Sequence, residues 1–334
     1  CLYSKKEDGD WVFVLIYVDD IQVIGKTKRT IDKVKSMLAS KFDVQDLGEI
    51  KQYLGINVTR DKNGIFHLDQ SNYIKKIVND FGLASAKASN VPIQVNYGKG
   101  KSDNDLLTSN AQYQKLLGCL LYISVNTRPD IAASVSILAQ KVCQPTQADW
   151  NELKRVLKYL KGTADLKLAL GNKNYKGELL YGYSDANWAE DKADRKSNSG
   201  HVFMVNGATV CWSSRKQQLV ALSTCEAEFI ALSEACRAAS WIRRLLIDLK
   251  QKVQKATTIH EDNQSCLKLI EEEERLSERS KHIDTRFHFV KDYVKGGLIS
   301  CEYCPTEKML ADILTKPIPA KKFEEIRNYF GLHV

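Results

Sequence analysis

Long apolar runs are missing from this chain. None approaches the roughly 18 residues needed to cross a membrane, and the first ten residues are polar, unlike a signal peptide. The expectation is an intracellular protein with no membrane partner. A disulfide framework is missing too, because the nine cysteines are odd in number, scattered and mostly flanked by apolar residues, as reduced buried thiols are. Cys301 and Cys304 have the spacing of a zinc half-site or a redox motif. They lie in the strand-like run Leu298–Cys304 with no second ligand pair, so they are set aside. The composition is neither disordered nor fibrous: of 334 residues 43% are apolar and 27% charged, enough for about two globular domains with their own cores. A formal charge of +8 and a pI near 8.9 favour a polyanionic partner, with simple solubility as the plain alternative.

What is present begins at Trp11–Asp20, an apolar and aromatic run that stops at two adjacent carboxylates. Such a run reads as a buried strand with acids at its open end. Two neighbouring aspartates repel unless a cation lies between them, so the pair points to a divalent metal serving phosphate chemistry. A turn at Gly25 leads to an amphipathic helix over 30–42, with Ile31, Val34, Met37 and Leu38 on one face. Segments 53–58 and 65–68, joined by the turn 61–64, read as a hairpin, followed by a short helix from Tyr73 to Phe81. The polar stretch 84–110, which contains Pro92 and Gly98, reads as a mobile linker. Helices then run from Tyr113 to Gly162, broken at 127–130 and near Pro145. In the last of them Leu153, Val156, Leu157 and Leu160 form an apolar face, while Lys154, Arg155, Lys158 and Lys161 form a basic one. That basic face is either solvated or grips a nucleic-acid backbone. Segment 171–178, rich in Gly, Asn and Lys, marks a boundary, so the expected domains are 1–83, 84–177 and 178–334.

The C-terminal half reads as a strand over 179–185 ending in an acid, strands at 200–206 and 209–213, and a helix beginning near Ser223. A strand over 257–262, again ending in an acid, is followed by helices at 265–271 and 282–294, a strand at 298–304 and a final helix bearing Asp312. Strands that finish in Asp bring carboxylates to one edge of a sheet. Asp185, Asp262 and two helix-borne acids can therefore share a pocket. Glu226 stands at capping-box spacing from Ser223 and has a structural task. Glu228 is followed at helical spacing by Ala231, Leu232 and Ala235, which puts it on the buried face, where an acid needs a partner such as a metal.

Nine segments in order, Tyr17–Asp20, Tyr53–Ile56, Thr127–Ile131, Leu157–Thr163, Ser184–Ala189, Ser223–Glu228, Glu261–Gln264, Ser280–Asp284 and Ala311–Lys316, carry a resemblance over nearly the whole chain. The C-terminal half resembles the ribonuclease H domain of copia-type long-terminal-repeat retrotransposons, and the N-terminal part resembles the end of the reverse transcriptase that precedes it in their Pol polyproteins. The implied fold class is α/β (α+β): a partial polymerase palm and thumb, connecting helices, then a ribonuclease H-like mixed five-stranded sheet with flanking helices. The implied activity is endonucleolytic hydrolysis of the RNA strand of an RNA/DNA hybrid. Asp185 would bridge two Mg²⁺ ions, with Mn²⁺ as a substitute, and Glu228, Asp262 and Asp312 would complete their shells. One ion would activate a water and the other would stabilise the leaving 3′ oxygen. His282 is either a proton shuttle or merely packs along its helix with His288.

In the polymerase portion the resemblance makes Asp19 a metal ligand, Asp20 its neighbour, Tyr17 a residue near the primer terminus and Tyr53–Ile56 the primer grip. The chain begins with Cys1, after the third carboxylate and the fingers of a reverse transcriptase, so the expectation is a fragment without polymerase activity of its own. The acids from Glu271 to Glu274 are a solvated loop or else weaken hybrid binding. Implied partners are an RNA/DNA hybrid, a primer–template and upstream Pol domains, in a cytoplasmic particle or in the nucleus. The competing expectation is a decayed or host-adopted fragment that binds or scaffolds nucleic acid without cutting it.

Overall fold

The computed structural model describes residues 1–98, 105–171, 175–189, 194–271 and 284–334. His282 and the acids at 272–274 lie outside the described residues. The chain is mixed α/β and divides into two compact units, one of Cys1–Ile50 with Trp241–Gln254, the other of Lys51–Ser240 with Lys255–Val334. No described helix is long and apolar enough to cross a membrane.

In the first unit β1 (Leu2–Glu7), β2 (Asp10–Tyr17) and β3 (Asp20–Gly25) form an antiparallel sheet in that order, followed by α1 (Lys28–Ala39). The Thr27 hydroxyl caps α1 by accepting the Thr30 N–H at 3.3 Å. The expected buried strand is not buried: Val12 alone in β2 is enclosed, while Trp11 is 40% and Val18 81% exposed. An apolar run is consistent with a core strand, but only cover on both faces makes it one, and within this unit β2 lacks that cover.

The second unit opens with β4 (Gln52–Tyr53), β5 (Ile56–Arg60), β6 (Phe66–Asp69) and α2 (Ser71–Asp80). Three helices follow, α3 (Ala111–Asn126), α4 (Ala132–Ala139) and α5 (Gln147–Gly162), with a 3₁₀ turn at Pro129–Ile131. Helix α5 starts on a reciprocal capping box between Thr146 and Asp149. Strand β7 (Lys167–Leu170) then joins the hairpin sheet. The expected linker is in part pinned to α5: the Ser89 N–H donates to the Lys158 carbonyl at 3.4 Å and the Gln94 N–H to Glu152 at 3.0 Å. Backbone groups satisfied in this way hold 84–98 against the helix, contrary to the expectation of mobility.

Beyond it lie β8 (Leu180–Asn187), β9 (Asn198–Val205), β10 (Ala208–Lys216), α6 (Thr224–Asp248), β11 (Thr257–Glu261), α7 (Gln264–Glu271), α8 (Asp284–Lys295), β12 (Ile299–Tyr303), α9 (Ala320–Tyr329) and β13 (Leu332–His333). The five-stranded sheet has the order β10-β9-β8-β11-β12, with β9 antiparallel to its neighbours and β11 parallel to both β8 and β12. This is the mixed sheet expected of a ribonuclease H-like fold. Strand β13 closes the other sheet, β13-β7-β6-β5-β4. One apolar cluster runs through Leu120 of α3, Leu138 of α4, Leu157 of α5, Val202 of β9 and Phe330. The connecting helices therefore share a core with the C-terminal sheet across the expected boundary at 177/178.

Candidate active site

Strand β8 carries Asp185, which is 2% exposed. The strand continues two residues past it, because β9 pairs through Asn187↔Asn198, so the acid lies inside the sheet and not at a strand tip. Asp185 faces Gly200 in register. A Cβ at Gly200 would come within 2.8 Å of both the Leu314 and Thr315 side chains. The missing side chain lets the 3₁₀ turn Leu310–Leu314 lie directly on β9. Asp312 is on this short turn and not on the last α-helix, contrary to expectation; Pro317 and Pro319 intervene before α9 begins at Ala320. From just beyond the turn, the Thr315 hydroxyl donates to Asp185.

Glu228 arrives from α6 and Asp262 from the residue after β11. Ligating oxygens of Asp185, Glu228 and Asp262 all lie within 4.8 Å of one another, the one such group of three among the described residues. The expected buried face of α6 is present: Glu228, Ala231, Leu232 and Ala235 are all enclosed. Glu226 takes the capping role, with its own N–H donated to the Ser223 hydroxyl at 3.2 Å; its carboxylate accepts the Leu222 N–H at 2.8 Å, one residue further back than expected. The Thr306 hydroxyl fixes the Asp262 carboxylate from 2.7 Å.

Two of these acids, Asp185 and Glu228, hold their protons more tightly than a free carboxyl does. Burial pushes Asp185 up to about 6, with Lys316 pulling the other way. Burial, then Glu261 and Asp185, holds Glu228 well above the usual carboxylate range. The Ala186 N–H donates to Glu228, but its Oε2 is buried without a hydrogen-bond partner. Hard carboxylate oxygens converging on one point, one of them unsatisfied, fit a divalent cation such as Mg²⁺ or Mn²⁺.

Asp312 stands beside this group with two ammonium partners, Lys316 at 2.6 Å and Lys322 at 2.5 Å. Lys316 also lies 3.9 Å from Asp185. Burial works against the Lys316 charge, but Asp185 and Asp312 outweigh it and raise the lysine's pKa. Sequence reasoning passed over both lysines, and it passed over Glu261, which is fully buried beside Asp262 with an unpartnered Oε2. Lys316 and Glu261 both stand inside the nine family-like segments. Nothing in the spacing marked Thr306 or Lys322, since their partners lie 44 and 10 residues away.

The polymerase-like residues form a separate arrangement. Tyr17 pairs with Asp20 across a two-residue turn, and Tyr17, Asp19 and Asp20 are exposed. Val18 takes φ +52°, a left-handed conformation that is strained for a β-branched residue. Asp19 and Asp20 belong to no group of three ligating side chains among the described residues. On α5 the four cations differ in what they do. Lys161 donates to the Ala86 carbonyl at 2.6 Å and Arg155 pairs with Glu152 at 3.0 Å, while the Lys154 ammonium lies 5.4 Å from the centre of the Trp150 ring. Cys301 and Cys304 are free thiols.

Residues 1–95 match the family model described as reverse transcriptase (RNA-dependent DNA polymerase). Along its whole length the chain is 33% identical, over 341 residues, to the retrovirus-related Pol polyprotein from transposon TNT 1-94 of Nicotiana tabacum, covering 25% of it. It is 32% identical over 331 residues to the corresponding polyprotein from transposon RE1 of Arabidopsis thaliana, covering 99% of this chain and 22% of the polyprotein. The chain thus spans about a quarter of the length of these relatives. Among solved structures, the RNase H1 of Halobacterium salinarum NRC-1 aligns with 41% of this chain and 93% of its own, at 16% identity and a TM-score of 0.32.

Proposed function

This chain belongs to the retrovirus-related Pol polyproteins of copia-type transposons, and from that membership we propose that it is the ribonuclease H segment of such a polyprotein, cutting the RNA strand of an RNA/DNA hybrid at a site for two Mg²⁺ ions. The observation that carries this reading is the convergence of Asp185, Glu228 and Asp262 from β8, α6 and the end of β11 to within 4.8 Å. Bound divalent ions supply the positive charge that an in-line phosphoryl displacement requires. Asp185, central in the sheet, would hold the ions together with Glu228 and Asp262. Thr315 and Thr306 fix the Asp185 and Asp262 carboxylates by donating hydroxyl protons to them. Asp312 is the fourth acid, ion-paired with Lys316 and Lys322 beside Asp185.

The Asp19–Asp20 hairpin is, on this reading, a palm-like turn that does not polymerise by itself, because it joins no third ligating side chain among the described residues. Nucleotide incorporation by the purified chain would overturn that part. The second reading, a nucleic-acid-binding fragment that does not cut, draws on the cations of α5.

The test is a labelled RNA/DNA hybrid incubated with purified protein and Mg²⁺, beside Asp262→Asn and a duplex RNA control. Cleavage of the hybrid's RNA strand alone, abolished by the substitution and by EDTA, is expected. Tight binding with no cleavage would replace the enzyme with the non-catalytic binder. The same assay on His282→Ala decides whether that histidine takes part in proton transfer.

A further inference from the structure

Between α5 and the segment 87–89 lies a hollow of about 300 Å³, lined by Lys87, Ser89, Asn151, Lys154, Arg155 and Lys158, together with the Ala88 side chain. No carboxylate lines it. Glu152, the nearest acid in sequence, already has both oxygens engaged, one by Arg155 at 3.0 Å and the other by the Gln94 N–H at 3.0 Å. Among the described residues Lys87 and Lys158 have no ion pair. Of the four cations around this concavity Arg155 is paired with Glu152, and the ammonium groups of Lys87, Lys154 and Lys158 repel one another, which an entering anion would relieve.

The hollow is built in advance. Lys161 donates to the Ala86 carbonyl at 2.6 Å and the Ser89 N–H to the Lys158 carbonyl at 3.4 Å, so the segment is tied to the helix on either side of Lys87. Gly162 permits the approach, since a Cβ there would come within 2.8 Å of the Ala88 Cβ. Arg155 reaches the Ser89 hydroxyl at 3.4 Å and stiffens the rim. Two of the basic residues of α5, Lys161 and Arg155, therefore shape the hollow, and Lys87 from outside the helix joins Lys158 in charging it. Guanidinium, ammonium, hydroxyl and amide donors, with no carboxylate in the lining and the adjacent Glu152 already engaged at both oxygens, are the donor set for a phosphate.

We propose that this hollow binds a backbone phosphate of the nucleic acid, as a tether lying outside the cluster of acids. Lys87, Ala88 and Asn151 are exposed, so the hollow opens sideways and suits a polymer passing across it better than a small molecule enclosed within it. The inference rests on the reading that an RNA/DNA hybrid is the ligand.

The experiment measures hybrid binding by fluorescence anisotropy across a salt series in EDTA, so that cleavage plays no part. The wild type is compared with Lys87→Ala/Lys158→Ala and with Lys75→Ala as a control, since Lys75 already faces Asp165 at 3.4 Å. Removing one phosphate interaction should lower the slope of log affinity against log salt by about 0.9 and weaken binding roughly tenfold at low salt, with the control unchanged. Equal slopes for the wild type and the double variant would overturn the proposal. So would a double variant that loses binding of inorganic pyrophosphate but not of the hybrid, because the hollow would then take free phosphate. Unchanged thermal melting of the double variant separates weakened phosphate binding from a damaged fold. If the wild type binds with the steeper slope yet never cuts with Mg²⁺, the proposed activity fails and the tether stands; if it cuts and the slopes agree, the tether alone fails.

Discussion

The β2–β3 hairpin offers Asp19 and Asp20 to solvent on a two-residue turn, whereas β8 carries Asp185 inside a five-stranded sheet beneath a 3₁₀ turn, with two further acids at its side. Both are apolar runs reaching an aspartate. The hairpin has acids and a strained turn but no third carboxylate among the described residues; the sheet has the cluster, the burial and the hydroxyl donors that hold it. A pair of adjacent acids is easily displayed in water. A buried cluster of acids is unfavourable on its own, and a bound cation would offset that penalty.

The sharpest way to break this contrast is substitution on each side. Asp185→Asn should lower Mg²⁺-dependent hybrid cleavage roughly a thousandfold, equivalent to about 4 kcal/mol at 1.36 kcal/mol per decade, while Asp19→Asn leaves the rate of cleavage unchanged. Steady-state rates on a labelled hybrid decide it. A smaller effect is expected from Thr306→Val, which removes the hydroxyl that fixes Asp262. Metal affinity measured by calorimetry should drop about 10- to 100-fold, with little change in thermal melting without metal.

Next in size is the dependence of stability on pH. In the fold Asp185 keeps its proton up to about 6 against an ordinary 3.8, and Glu228 is shifted the same way. The folded chain then binds more protons than the unfolded chain in that window, so stability in EDTA should fall, by about 1–3 kcal/mol, as pH rises through it. Saturating Mg²⁺ should remove the fall, because it binds the ionised acids of the folded state. Denaturant melts at several pH values, with and without metal, check both. The smallest effect concerns the hairpin alone: Val18→Gly relieves a left-handed φ and should stabilise the first unit by about 1 kcal/mol or less, with no change in cleavage.

Much of the sheet was legible because its strands are short apolar runs punctuated by turns, and the break between α3 and α4 was announced by Pro129. Glu228 could be told from Glu226 by helical spacing, since one faced the core and the other matched a capping pattern. What could not be read depends on partners distant in sequence. Thr315 meets Asp185 across 130 residues, and no local pattern encodes that. The exposure of β2 escaped for the opposite reason: its sequence reports a capacity for burial, and burial itself depends on what lies on each face. The segment 84–98 read as linker from its polar composition, yet a few backbone hydrogen bonds pin it to α5.

The most direct measurement is the binding of Mn²⁺, as a spectroscopic stand-in for Mg²⁺, followed by electron paramagnetic resonance in the wild type, in Glu228→Gln and in Asp19→Asn/Asp20→Asn. The expected result is a tight bound-ion signal that persists in the hairpin variant and is lost in Glu228→Gln. Loss of that signal in the hairpin variant, with Glu228→Gln indistinguishable from the wild type, would place the metal at the exposed aspartates and contradict the assignment of the cluster around Asp185.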